Sequence, residues 1–314
     1  MKKIGIADVH NFLRAIILLG FASLIGYLVL TGDILLYVTP KLTIYLKIAG
    51  IGLLVVSLFQ FYISFISLKR EVIVCNCGHD HDHDHGHGHE DDDHHSHEPS
   101  RSLWKNVLIY GMFLLPLLLG SLLPNKALAG SLANQRGMNL GGVSVNGGSA
   151  PAELVELEGN EDPAIRSLFK TEPYNKDYAK LGMVLYQQNV IEMKDEWFIE
   201  KLQAMNTFAD NFKGKTIKIT GFVYREDGMP ESQFIIGRMA MTHCIADISP
   251  YGIIVDSPDA SQFENDSWIT VTGTIDSTTF HELKVIKIDV DQIEPAHVSN
   301  VPYVYPDWNF ASKL

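Results

Sequence analysis

Phe12 to Thr31 reads FLRAIILLGFASLIGYLVLT, twenty residues in which Arg14 is the single charge. As a helix rising about 1.5 Å per residue it measures about 30 Å, the thickness of a bilayer's hydrocarbon core. Two more runs of this kind follow. Ile48 to Leu68 (IAGIGLLVVSLFQFYISFISL) carries no charge, and Val107 to Leu123 (VLIYGMFLLPLLLGSLL) extends back to Leu103 when Lys105 snorkels toward the headgroups. The runs predict three transmembrane helices at about 12–31, 48–68 and 103–123, within a membrane domain spanning 1–126. Core helices of a soluble domain are the alternative, but uncharged runs this long belong in bilayers.

Lys and Arg near the membrane ends set the expected orientation. Lys2, Lys3, Arg14, Lys69, Arg70, Arg101 and Lys105 lie on one side, against Lys41, Lys47, Lys126 and Arg136 on the other. The N-terminus and the segment 69–105 are therefore expected in the cytoplasm, and everything after the third helix outside. Gly32 to Leu42 (GDILLYVTPKL) reads as a tight apolar hairpin lying in the interface.

The whole chain of 314 residues has 25 basic and 37 acidic side chains, a net charge of −12. Residues 1–150 hold 11 of each sign, so the entire imbalance belongs to the second half. A protein that gains affinity by neutralising phosphates carries the opposite sign, so nucleic acid is excluded as a partner. Three cysteines, Cys75, Cys77 and Cys244, are too few for a disulfide framework.

Between the second and third helices, Cys75 to Glu98 reads CNCGHDHDHDHGHGHEDDDHHSHE. Cys75, Cys77, His79, His81, His83, His85, His87, His89, His94, His95 and His97 are all donors that zinc and neighbouring transition metals select. A flexible alternation of His with Asp or Gly cannot hold one fixed tetrahedron, but it can form many interchangeable ones. The expectation is weak, exchangeable binding of Zn²⁺ or another transition metal; the alternative is a solvated low-complexity linker. The run resembles the histidine-rich cytoplasmic loops of zinc transporters of the cation-diffusion-facilitator and ZIP families. None of the helices carries the paired intramembrane ligands such transport needs, so this chain alone is not expected to be the pore.

Residues 127–160 are rich in Gly, Ser, Ala and Asn and read as a flexible linker. A folded extracytoplasmic α+β domain is expected over 161–314. Glu196 to Phe212 has helical periodicity, with Asp195 as its N-cap. Five β-patterned runs follow: Thr216–Arg225, Gln233–Met241, Tyr251–Asp256, Trp268–Thr274 and Leu283–Val290. Five strands, with Gly221 and Gly273 placed where strands must bend, predict a small OB-like barrel, a β-sandwich being the alternative.

Between the second and third of those runs lie Arg238 and then Thr242-His243-Cys244-Ile245-Ala246-Asp247. A thiolate, an imidazole and a carboxylate can converge there if the chain turns, with Arg238 in support. His243, Cys244 and Asp247 are therefore a candidate second metal or functional site, Cys244 being buried and inert, metal-bound or redox-active. No Cys-x-x-Cys pair or other catalytic constellation is evident, so the expected role is non-enzymatic.

Gln135-Arg136-Gly137, Phe212-Lys213-Gly214-Lys215 leading to Thr220-Gly221-Phe222-Val223-Tyr224, Cys244-Ile245-Ala246-Asp247, Trp268-Ile269-Thr270-Val271-Thr272-Gly273 and Pro302-Tyr303-Val304-Tyr305-Pro306 occur in this order behind the apolar helices. In this layout the chain resembles the YcgQ-like permease subunits of Gram-positive bacteria, over nearly its whole length. The resemblance implies an accessory subunit that works with a polytopic YcgR-like permease and is linked to metal homeostasis, with membrane lipid and metal ions as further partners. Members usually have two adjacent cysteines before the Ala-Asp step; His243 replaces the first here, which removes a vicinal disulfide and keeps a metal ligand.

Overall fold

The computed structural model describes residues 6–69, 103–122, 129–144, 154–155, 157, 162–298 and 301–314. They divide into two compact units, one of Met1–Ile34 with Thr43–Pro124 and one of Leu35–Leu42 with Asn125–Leu314.

The first unit holds helices α1 (Ile6–Thr31), α2 (Pro40–Lys69, its first residues lying in the second unit) and α3 (Leu103–Leu122). Their segments Val9–Thr31, Pro40–Ile66 and Trp104–Leu122 are each long and apolar enough to cross a membrane. Large apolar side chains such as Leu30, Phe59, Leu108 and Leu122 stand exposed. A bilayer supplies the apolar surroundings that water denies them. Inside the bundle the helices meet through small and polar groups: Ser57 donates its hydroxyl to the Ala15 carbonyl at 2.9 Å, both residues being fully buried. Such hydrogen bonds are a recurrent adhesive between helices where the hydrophobic effect offers none.

The second unit contains α4 (Ala129–Arg136), β1 (Val143–Ser144), α5 (Pro163–Leu168), α6 (Lys176–Tyr186), β2 (Val190–Met193), α7 (Phe198–Thr207), α8 (Ala209–Phe212), β3 (Thr216–Tyr224), β4 (Gln233–Ala240), β5 (Ser249–Asp256), β6 (Trp268–Phe280), β7 (Leu283–Pro295) and β8 (Tyr303–Val304). The strands make one mixed sheet in the order β2-β3-β6-β7-β5-β4-β8, with β1 on β7 and a further pairing of β3 with β4. All five strands expected from the sequence are present, and β3, β6, β7, β5 and β4 pair in a closed cycle. Within it β5 and β7 run parallel and the other neighbours antiparallel.

Local chemistry explains the corners of this cycle. At the tip between β6 and β7, His281 and Glu282 both have positive φ, 47° and 63°. Two such residues make the tight turn whose twist matches paired strands. A bulge falls between Thr272 and Gly273, where a Cβ on Gly273 would lie 2.3 Å from the Asp289 carbonyl oxygen. Gly221 sits where β3 leaves β6 for β4, and a Cβ there would lie 2.4 Å from the Gly237 oxygen. The two mid-strand glycines thus permit backbone approaches that any side chain forbids.

Two apolar clusters flank the sheet. The larger joins Phe169, Phe198, Leu202 and Phe212 of the helices to Ile217, Val271, Ile286 and Ile288 of the strands. The smaller gathers Phe222, Ile235, Met239, Ile254 and Tyr303 with Ala133 and Leu140.

Several expectations change. The helix expected over Glu196–Phe212 is broken at Phe208, whose φ of −118° is non-helical, and Trp197 rather than Asp195 occupies the N-cap. The stretch 127–160 is not a uniform tether: it contains α4, and Ala133 and Leu140 are buried. Buried Asn206 holds this stretch to the sheet, donating to the Leu140 oxygen at 2.8 Å and accepting from the Ile286 amide at 2.9 Å. Gly32–Leu42 is the short connection between α1 and α2, and it also contributes to the C-terminal unit. Its residues Leu35–Leu42 pack within the C-terminal unit, where the Thr39 amide donates to His243 and Tyr37 accepts from the Ile245 amide, at 3.0 and 2.8 Å.

Candidate functional site

Cys75, Cys77, His79, His81, His83, His85, His87, His89, His94, His95 and His97 lie outside the described residues. Within them, His243, Cys244 and Asp247 do come together, on a 3₁₀ turn at Ile245–Asp247 between β4 and β5. The turn consumes its own carboxylate. Asp247 accepts from the amides of Thr242, His243 and Cys244 at 3.0, 2.7 and 3.3 Å, and the His243 ring nitrogen lies 3.2 Å away. Partial burial pulls the Asp247 carboxyl upward, but the three amides and the imidazole outweigh it and hold the group below its ordinary value.

The same turn is gripped from two further sides. Cys244 bridges to Val38 of the Leu35–Leu42 segment, and the Arg136 guanidinium at the end of α4 donates to the carbonyls of Ile248 and Ala246. Cys244 is half-buried with a free thiol. Among the described residues no group of three or more His, Cys, Asp or Glu is arranged to hold a metal ion. The turn is a junction between three chain segments.

Arg238 marks a different place. It lies in the middle of β4, opposite Tyr251 of β5, and its side chain is only 5% exposed. Its Nη1 meets Asp195 Oδ1 at 2.6 Å, its Cζ stands 5.4 Å from the centre of the Trp268 ring, and its Nε is buried without a hydrogen-bond partner among the described residues. A guanidinium on an indole face with one carboxylate in reach is a strongly oriented cation.

Around it opens a cleft of about 510 Å³. Its walls come from the β2–α7 segment (Glu192 to Glu196), from Lys218 and Thr220 of β3, from Trp268 at the head of β6 and from His297 after β7. Lys194 and Glu192 pair at 2.6 Å; their mutual hydrogen bond lowers the carboxyl's pKa and raises the ammonium's. Thr220 shares a hydroxyl hydrogen bond with Thr270 at 2.8 Å. The lining therefore offers charges of both signs, an aromatic face and the Thr220 hydroxyl.

The sequence singled out Arg238 but not Asp195, Lys218, Trp268 or His297. One signal was available: an arginine in the otherwise apolar run Gln233–Met241 needs a partner when the strand is buried.

A third feature is Glu200 on α7, 5% exposed, beside a cavity of about 310 Å³ that also touches Tyr178, Tyr251, Asp307 and Phe310. Its Oε1 accepts from the Asp307 amide at 2.7 Å, and its Oε2 is buried with no partner among the described residues. Burial raises its carboxyl above the ordinary value against the pull of that amide.

Comparison with known proteins covers both units. Residues 13–90 and 82–139 match the DUF1980 N-terminal domain, and residues 168–306 the DUF1980 C-terminal domain. The UPF0703 protein YcgQ of Bacillus subtilis (strain 168) is 28% identical over 93% of this chain and 98% of its own length. A Streptococcus mutans protein, named provisionally as a two-component membrane permease complex subunit, is 24% identical over 61% of this chain and 70% of its own. With the two matched domains following one another from the first apolar span to the last strand, the chain belongs to the DUF1980 family.

Proposed function

We propose that this chain is a non-catalytic accessory subunit of a membrane permease, anchored by its three apolar helices and working with a polytopic YcgR-like partner. The observation that supports the proposal is the Arg238 cleft, with paired charges and an aromatic face in its lining, in a domain tethered to three apolar helices. The provisional name of the Streptococcus mutans relative agrees with it. On this reading the cycle β3-β6-β7-β5-β4 is an OB-like barrel facing the outside, and its cleft receives either the transported solute or a loop of the partner. The acidic surface of that half raises the local concentration of cations.

The run from Cys75 to Glu98 lies in this proposal on the cytoplasmic side, where it binds Zn²⁺ or a related ion and links transport to metal supply. Its eleven donors support a second reading, a stand-alone metal sensor or store.

Affinity purification of the full-length chain from gently solubilised membranes separates the two readings. A polytopic permease recovered in stoichiometric amount supports the first, and lost by Arg238→Glu it assigns the cleft to the partner; recovery of this chain alone supports the second. Deleting residues 75–98 should lower the metal bound per chain without unfolding it. Unchanged metal content would end the loop's proposed role.

A further inference from the structure

The membrane unit has a cavity of its own. About 510 Å³ in volume, it is lined by His10 and Arg14 of α1, Gln60 of α2, and Asn106, Tyr110 and Phe113 of α3, among others. Counted from the ends of the apolar spans at Val9, Ile66 and Trp104, these polar residues sit about 1.5 to 9 Å inside the spans. That is the depth at which headgroups give way to acyl chains.

His10 is only 7% exposed, and it is held rather than free. One ring nitrogen, Nδ1, lies 2.6 Å from the Tyr110 hydroxyl, the other lies 3.4 Å from the Asn106 amide nitrogen, and the His10 and Tyr110 rings stack at 5.6 Å. In the tautomer whose Nε2 accepts from the Asn106 amide, Nδ1–H donates to the tyrosine oxygen and leaves the Tyr110 proton to point elsewhere. The cavity that Tyr110 borders is also lined by Arg14. Among the described side chains no carboxylate lines the cavity.

An ionisable side chain inside a span is costly and calls for a partner. Here the partner must be an anion, must accept from a guanidinium, a phenol and an amide, and must sit at headgroup depth beside an apolar wall. Phe113, 46% exposed, stands at the cavity's edge, so the cavity is open sideways to the surroundings of the bundle. We infer that this cavity binds the phosphate of an anionic phospholipid headgroup, with Arg14 as the charge partner and Tyr110, oriented by His10, as a second donor. The inference is independent of the Arg238 cleft.

The test uses the full-length chain in neutral detergent, titrated separately with phosphatidylglycerol, phosphatidylcholine and inorganic phosphate, with bound lipid per chain read by native mass spectrometry. One phosphatidylglycerol should be retained in preference to phosphatidylcholine, and Arg14→Gln should weaken it about tenfold, the value of one charge-assisted hydrogen bond. Tyr110→Phe should weaken it by a smaller factor, and it carries the test if Arg14→Gln loses its helical signal. Equal retention of the two lipids, or wild-type affinity in a folded Arg14→Gln or in Tyr110→Phe, overturns the inference. Displacement of phosphatidylglycerol by millimolar inorganic phosphate overturns the lipid as source and assigns the site to a free anion.

Discussion

The Arg238–Asp195 pair makes an unequal prediction for its two members. Arg238 is 5% exposed and Asp195 is 61% exposed, at 2.6 Å. Judged by Asp195, this is a surface ion pair, contributing up to about 1 kcal/mol. Judged by Arg238, removing the carboxylate strands a buried cation whose Nε already has no partner among the described residues, and breaking a fully buried pair costs about 3 to 5 kcal/mol. With one partner buried and the other facing a hydrated cleft, Asp195→Ala should cost about 2 kcal/mol. Arg238→Met, which keeps the apolar stem against Trp268 and removes the charge, should cost less, because it leaves only an exposed carboxylate. In the double variant most of the Asp195→Ala penalty should disappear. For a unit of this size about 2 kcal/mol lowers the midpoint of thermal unfolding by about 4 to 8 °C. The assay is thermal unfolding of the full-length chain in detergent followed by tryptophan fluorescence, with Trp268 stacked on the perturbed guanidinium as a local reporter. A loss below about 0.5 kcal/mol for Asp195→Ala, or a larger loss for Arg238→Met, would refute the account of Arg238 as a buried charge sustained by one carboxylate.

Other perturbations test neighbouring parts of the domain. Asp247→Asn, which keeps one acceptor oxygen and removes the charge, should destabilise by about 1 kcal/mol at neutral pH, the difference between a charge-assisted and a neutral hydrogen bond. Because the carboxyl is held below its ordinary value, its contribution is present above about pH 4 and fades as the pH falls through its folded value, so the two proteins' melting temperatures should converge in acid. Glu200 has the opposite sign: its raised carboxyl favours the fold when protonated, and that contribution is lost as the pH rises from about 4.3 through its folded value. Glu200→Gln should flatten that stretch of the melting-temperature profile; a profile parallel to the parent's would show that Glu200 is not the titrating group. Gly221→Ala places a methyl 2.4 Å from the Gly237 oxygen and should cost about 2 to 3 kcal/mol, read by urea unfolding, whereas a near-neutral result would mean that the β3–β4 contact is easily displaced.

Much of this architecture was legible because it rests on local signals. Each membrane span is a contiguous apolar run, and each of the five long strands carries its own alternation or apolar stretch between turn residues. Gly221 and Gly273 could be read as bends because each interrupts a β-patterned run in mid-strand. The elements that escaped are those held by tertiary contacts. β2 and β8 are four and two residues long and pair in parallel with β3 and β4, so neither has a hairpin turn to announce it. The Leu35–Leu42 segment looks like an apolar membrane turn, and its tertiary contacts, the bridge from Val38 to Cys244 among them, give it away as part of the C-terminal unit.

The sites divide along the same line. His243, Cys244 and Asp247 stood out because three metal-binding residue types are adjacent in sequence, yet adjacency is what lets a turn use them for itself. With Asp247 bound to three amides, the carboxylate that a metal would need is already occupied. The recognition surfaces are instead assembled from distant positions: Asp195 with Arg238 and Trp268 in one unit, His10 with Asn106 and Tyr110 in the other. What sequence does expose is the anomaly that makes such a site necessary, an arginine inside an apolar strand and another inside an apolar span. Arg238 is a charge buried in an apolar strand and Arg14 a charge placed inside an apolar span, and each lines a cavity that other segments complete. These two arginines are where binding is to be sought.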